Sequence, residues 1–332
     1  MPISSGPGAP RTAFLTLALV VAMVAVPAAL TLTRLRVPPA SAASVPNPSP
    51  LGYTVSLLLF VFPIVSILVW LIPSDDVEIS RRSFLITVGI LAPAGFALDF
   101  FFAHLFFRFP NPQATLQISA PALGDTGFGR IFLGSPGHIL IGSVPIEEYI
   151  FYLTGFVTIL LLYIWLDEYW LAAYSVPVNS AARVTFDRLL RFHPLSLFAG
   201  IALLAAAIVY RHFFVPSPGF PGYITVLVII ALGPSTGLFP SALPVINWRA
   251  LSLALFFIVL ISLLWEATLA TPYGWWAYQH EQMVGIFITA WNGLPLEAIC
   301  VWVAVTYQTV ILYEVIRRWK SSGKTARRAF LG

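Results

Sequence analysis

Charge is scarce in this chain: 10% of its 332 residues are Asp, Glu, Lys or Arg. A soluble domain carries about 25%. Cysteine is scarcer still. The single Cys300 lies in an apolar run, which excludes an internal disulfide framework and a thiolate metal cluster. The five histidines, at 104, 138, 193, 212 and 280, form no HxxxH or HExxH pair, so no metal site is expected. No P-loop occurs, and Gly124-Asp125-Thr126-Gly127-Phe128-Gly129 lacks the dinucleotide-binding spacing. A flavin or nucleotide cofactor therefore has no support, and the expectation is a protein that works without one. Asp75-Asp76-Val77-Glu78 is a short acidic match to magnesium-pyrophosphate sites, better read as solvated loop charge.

Apolar residues fill the space that charge leaves. Hydrophobic residues make up 58% of the chain, and the mean hydropathy is +0.87. The apolar runs are long and unalternated, which points to membrane helices rather than a β-barrel. Eight spans are predicted, at 13–32, 51–72, 84–107, 138–166, 194–214, 223–239, 250–266 and 283–316. The sixth is interrupted at Gly233-Pro234, and the eighth is kinked near Pro295. The first span is read as a retained helix, with a cleaved signal peptide as the alternative. Residues 167–193 read as a polar connection whose second half forms an interfacial helix. With both ends in the cytoplasm, most of the 18 Lys and Arg fall on the inner side, six of them in the tail from Arg317 to Arg328. The expectation is a multi-pass protein of the cell membrane with a cytoplasmic C-terminus. The tail needs no nucleic acid to explain it, because anionic lipid suffices.

A weak repeat organises the chain. Val144-Pro145-Ile146-Glu147-Glu148 and Leu294-Pro295-Leu296-Glu297-Ala298 each head an apolar run. The offset of 150 residues also sets Leu162 over Leu312 and Tyr163 over Tyr313. Under the eight-span count the third and fourth spans run parallel to the seventh and eighth. The fold class is thus an all-α membrane protein of about eight helices with a weak parallel internal repeat. Its parts are an N-terminal helix and loop (1–50), a second helix and loop (51–83), a first repeat (84–170), a connecting segment with two helices (171–248), a second repeat (249–317) and a basic tail (318–332).

Carboxyl groups inside apolar spans are costly and point to function. Glu147, Glu148 and Glu297 stand first because they recur behind the same proline. Asp99 and Glu266 follow, late in their own spans, so that all five acids approach one face. The structural alternative for each is a carboxylate held between helices or at the interface. Paired carboxyls in a dry pocket suit proton transfer, since their environments hold one protonated beside one ionised. The second half is rich in aromatics, including Trp265, Trp275, Trp276, Tyr278, Trp291 and Trp302. These are either an interfacial belt or a π-rich wall able to stabilise a cation.

Val144-Pro145-Ile146-Glu147-Glu148-Tyr149-Ile150-Phe151-Tyr152 resembles the PxEEYxFF motif of the small integral-membrane lycopene cyclases. The order Trp265-Glu266, then Tyr273-Gly274-Trp275-Trp276-Ala277-Tyr278, then Leu294-Pro295-Leu296-Glu297 resembles the second repeat of that family. The likeness covers residues 84–170 and 250–317. Glu266 stands where the family has Asp, and Ala298 where it has a second acid. The resemblance implies carotenoid biosynthesis: non-redox cyclisation of a linear, lycopene-like end group by carboxyl acid/base chemistry, with no cofactor. It implies Glu147, Glu148, Glu297, Glu266 and Asp99 as the acids. Tyr149, Trp265, Trp275, Tyr278, Trp291 and Trp302 become substrate contacts. The implied surroundings are the membrane, a polyene substrate and other carotenoid enzymes.

Three other readings stand beside it. A membrane glutamate protease needs Arg where Tyr152 stands. A proton-coupled transporter suits parallel repeats and intramembrane acids but needs a polar path. A non-catalytic partner of carotenoid enzymes is the third.

Overall fold

The computed structural model describes residues 49–71, 81–123, 141–177 and 179–332. The expected first span, at 13–32, lies outside the described residues, as do the acidic loop around Asp75 and residues 124–137 of the long loop at 108–137. Within the described residues the protein is all-α, with seven helices long and apolar enough to cross a membrane.

Three helices form the first half: α1 (Gly52–Leu71), α2 (Arg81–Phe106) and α3 (Ile146–Trp165). A one-turn helix, α4 (Ala181–Val184), and the long α5 (Pro194–Phe214) connect it to a second set of three. These are α6 (Gly222–Ala242), α7 (Trp248–Trp265) and α8 (Glu297–Ser321), and a short α9 (Ala326–Phe330) follows. α3 and α7 both extend by a π-turn, at Leu166–Trp170 and Glu266–Ala270. α8 is central, packed against α2, α3, α6 and α7.

Short strands cap one end of the bundle. β1 (Phe107–Arg108) pairs antiparallel with β4 (Ala277–Tyr278), β2 (Ser119–Leu123) with β3 (Ile141–Pro145), and β5 (Phe287–Ile288) with β6 (Leu294–Pro295). β1 follows α2 and β4 follows α7, so those helices end on the same side. α3 and α8 both start from that side, behind Pro145 and Pro295. The repeats therefore run parallel.

Like positions also meet. The Tyr163 and Tyr313 rings pack edge to face, 6.2 Å between centroids, and Arg317 bonds Asp167 at 3.0 Å. Both pairs are 150 residues apart in sequence. Contacts between equivalent positions are what an approximate two-fold relation between halves produces. The repeat is therefore larger than the sequence motif: α1-α2-α3 corresponds to α6-α7-α8.

Several boundaries differ from expectation. The fourth span begins at Ile146 instead of 138, because residues 141–145 are drawn into β3. Pro145 ends that strand, and its ring biases the residue before it toward extended backbone. Residues 283–296 are not α-helical and hold only the 3₁₀ turn Thr289–Trp291, so Pro295 ends a strand and kinks nothing. Asn292 and Gly293 adopt left-handed backbone (φ 55° and 72°) and turn the chain between β5 and β6. The sixth span is not interrupted: α6 runs through Gly233-Pro234. Ser235 and Thr236 donate to the carbonyls of Ala231 and Leu232, which helps satisfy backbone beside the proline. The expected interfacial helix does not form: among the described residues of 167–193, the helical stretches beyond the π-turn are the 3₁₀ turn Ala172–Tyr174 and the single turn of α4. Its Arg183 is fully buried and donates to Glu314 at 2.5 Å instead of facing the interface.

Candidate functional site

The acids gather at the stranded end, but in two different settings. Glu147 and Glu297, equivalent in the repeat, are fastened to backbone. Leu116 N–H donates to Glu147 Oε1 at 2.7 Å, and Val284 N–H donates to Glu297 Oε1 at 2.6 Å. Each donor follows a 3₁₀ turn, Pro112–Ala114 in one half and His280–Gln282 in the other. Thr54 also donates to Glu147 at 2.5 Å. Neither carboxyl lines any of the three spaces described below, although Oε2 of each lacks a partner. These two acids fix the strand-and-turn segments over the helix starts.

Glu148 and Glu266 face one another across a cleft of about 20 Å³ walled by Phe151, Tyr152, Tyr223, Trp276, Tyr278 and Trp302. Their helices explain the placement. Glu148 is one residue on from Glu147 and so points about 100° away from it. Glu266 opens the π-turn that ends α7. Tyr53 donates to Glu148 Oε2 at 2.8 Å. Tyr278 and the Trp302 indole donate to Glu266 at 2.6 and 3.3 Å. Burial, reinforced by the Glu266 carboxylate, pushes the Tyr278 phenol well above its ordinary pKa, so it remains a donor.

The cleft opens onto a much larger cavity of about 540 Å³ between α2, α3, α6 and α8. Phe107, Tyr152, Tyr223, Val301 and Val305 line both spaces. Tyr152 and Tyr223 stand together at the junction. Asp99 lines the large cavity, is buried, and has no partner for Oδ2. The cavity is otherwise almost wholly apolar, and its volume lies in the range of small-molecule sites.

A third space, of about 90 Å³, lies between α1, α3, α7 and α8. Exchanging α1 with α6, α2 with α7 and α3 with α8 carries it onto the large cavity. Trp265, Phe60 and Trp302 narrow it.

Aromatic residues enclose the acids. Tyr53 stacks on Trp275 at 5.8 Å and touches Trp276 and Trp265 at 5.3 and 6.0 Å. Phe151 stacks on Trp265 and meets Trp302 edge-on. Trp275 and Trp276 are buried, which removes the interfacial-belt reading for them. Of the expected substrate contacts, Tyr278 and Trp302 line the cleft, and Trp265 lines the smallest-but-one space. Trp275, half-buried Tyr149 and buried Trp291 line none of these three spaces. Trp291 packs with Leu263, Ala267, Leu294 and Ala298.

Sequence reasoning missed Tyr53, Tyr152 and Tyr223. Tyr152 sat inside the quoted motif; Tyr53 and Tyr223, both just inside the first turn of a span, carried no signal except a hydroxyl in an apolar run. Among the described residues no group of three or more His, Cys, Asp or Glu is placed to hold a metal ion. No family model, curated protein or solved structure matches this chain.

Proposed function

We propose that this chain is an intramembrane cyclase acting on the end group of a linear, lycopene-like carotenoid. The observation that carries the reading is the pair Glu148 and Glu266, two carboxyls facing one aromatic cleft at the end of a 540 Å³ apolar cavity. The polyene enters from the bilayer and lies in the large cavity, with its terminal double bond brought to the cleft.

The chemistry needs an acid, a dry wall that tolerates a cation, and a base. A carboxylic acid O–H breaks as its proton adds to the terminal double bond, leaving a tertiary carbocation. The electrons of a second double bond close the ring and move the cation onto the ring. A carboxylate then removes a ring proton, whose C–H electrons become the new double bond. One proton enters and one leaves, so the product is an isomer and no redox cofactor is required. We assign the acid to Glu148, which accepts one hydrogen bond from Tyr53. The base is Glu266, which accepts two, from Tyr278 and Trp302. Asp99 stands at the cavity wall as a third carboxyl. The rings of Phe151, Tyr152, Trp276 and Trp302 offer π faces to the cation. Glu147 and Glu297 are positioning residues. The basic tail supports a cytoplasmic C-terminal side.

The test is expression in cells that accumulate lycopene, followed by chromatography and mass spectrometry of the pigments. The reading predicts products of unchanged mass with a shortened polyene spectrum, lost in Glu148→Gln and in Glu266→Gln. Unaltered lycopene from well-expressed wild type sinks it for this substrate.

A further inference from the structure

The large cavity holds a second polar station, on α8, that the cyclisation does not use. Gln308 and Thr309 both line it, and both are more than nine-tenths buried, at 6% and 0% exposure. Gln308 Oε1 and Thr309 Oγ1 have no hydrogen-bond partner. Thr306 on the same helix is also unpaired but does not line the cavity, so Gln308 and Thr309 are the adjacent pair that does. Thr87, Thr158, Thr225, Ser235, Thr236 and Thr268 each donate to the carbonyl four residues back along their helices. Such back-bonding is the ordinary way for a hydroxyl to be satisfied in an apolar helix. Thr309 forgoes it, and its neighbour Gln308, on the same wall, leaves its carbonyl oxygen unpaired. Buried polar atoms are usually paired, and two unpaired ones on adjacent residues of one cavity wall suit a partner that enters the cavity.

We infer that the cavity takes an isoprenoid bearing a hydroxyl group, seated between Gln308 and Thr309. This rests on the cyclase reading for the identity of the cavity as a substrate site, and it narrows the substrate class. A hydroxyl answers both atoms, since its O–H donates to Gln308 Oε1 and its oxygen accepts from Thr309 Oγ1. A carbonyl oxygen answers only the donor, and a hydrocarbon answers neither. Gln308 is six residues along α8 from Trp302 in the cleft wall, or roughly 9 Å. The hydroxyl therefore sits on the same part of the chain as the reacting end.

The test is equilibrium binding to the full chain in lipid nanodiscs, with empty nanodiscs as the blank. The probe is tritiated geranylgeraniol, competed by the same chain as the aldehyde and as the hydrocarbon lacking oxygen. Wild type is expected to bind the alcohol about tenfold or more tighter than the hydrocarbon, with the aldehyde between. A site that pairs a hydroxyl discriminates strongly against the analogue lacking it. Thr309→Val and Gln308→Leu are expected to erase most of the preference while binding of the hydrocarbon persists, which also reports an intact cavity. Thr309→Ser, which keeps the hydroxyl, retains the preference. Equal affinity for alcohol and hydrocarbon in wild type, no binding of any probe, or an undiminished preference in both Thr309→Val and Gln308→Leu overturns the inference. Ring formation does not enter this readout, so failure of the cyclase reading is scored separately, by lycopene conversion.

Discussion

The two ends of the helix bundle both bury charge, and they treat it in opposite ways. At the end away from the strands every buried acid among the described residues meets a cation. Arg183 and Arg317 both contact Glu314, at 2.5 and 3.5 Å, and Arg317 also bonds Asp167 and Glu168. Tyr163 and Asn247 complete that network. At the stranded end Asp99, Glu148 and Glu266 are just as buried, yet none of them takes part in an ion pair among the described residues. Tyrosine and tryptophan donors surround Glu148 and Glu266. Paired ions fix helices in place, whereas carboxyls that lack a fixed cation are free to exchange protons.

The sharpest way to break this contrast is to neutralise one acid at each end. Glu148→Gln is expected to lower ring formation by about 100-fold or more, the scale of a lost general acid, while melting at or above the wild-type temperature. Product assays and thermal unfolding in detergent check the two halves of that statement. At the other end Arg183→Met leaves Glu314 buried with one cation fewer. It is expected to cost about 3–5 kcal/mol of stability. Folded molecules that survive should still cyclise, and Arg183→Met combined with Glu314→Leu should regain part of the loss. An Arg183→Met protein of wild-type stability contradicts the structural role assigned to that end.

A smaller effect separates acids within the stranded end. Glu147→Gln and Glu297→Gln keep an oxygen to accept from Leu116 and Val284, so activity should fall less than about tenfold. Loss as deep as that of Glu148→Gln would move those residues from positioning into the reaction. The subtlest comparison is between the two pseudo-equivalent cavities. Trp265→Ala is expected to enlarge the 90 Å³ space and admit lipid or substrate there, without abolishing the reaction in the 540 Å³ cavity. A complete loss of product in Trp265→Ala would show that the narrower side takes part.

Much of the architecture was legible in the chain. Unbroken apolar runs locate the spans, and the Pro-x-Glu repeat locates the two helix starts that face each other. The runs do not reveal that residues 141–145 and 287–295 leave the helix for strands. Val, Ile, Phe and Leu suit either state, and the deciding signals were Pro145 and the Asn292-Gly293 turn. The acids were legible as a set, because a carboxyl in an apolar run is conspicuous. Their division was not. Whether Glu147 or Glu148 faces the cleft depends on the backbone N–H of Leu116, some 30 residues away, turning in to claim one of them. Arg183 looked like interfacial charge because its partner Glu314 comes from the other end of the chain.

The central claim, that the Glu148–Glu266 cleft moves protons on a polyene, is tested most directly by isotope. The purified full chain is given lycopene in D₂O, and the cyclic product is analysed by mass spectrometry. Because the carboxyl proton exchanges with solvent, each ring should carry one deuterium, and Glu148→Gln should yield no ring. Rings free of deuterium, or rings formed at the wild-type rate by Glu148→Gln, would contradict the account.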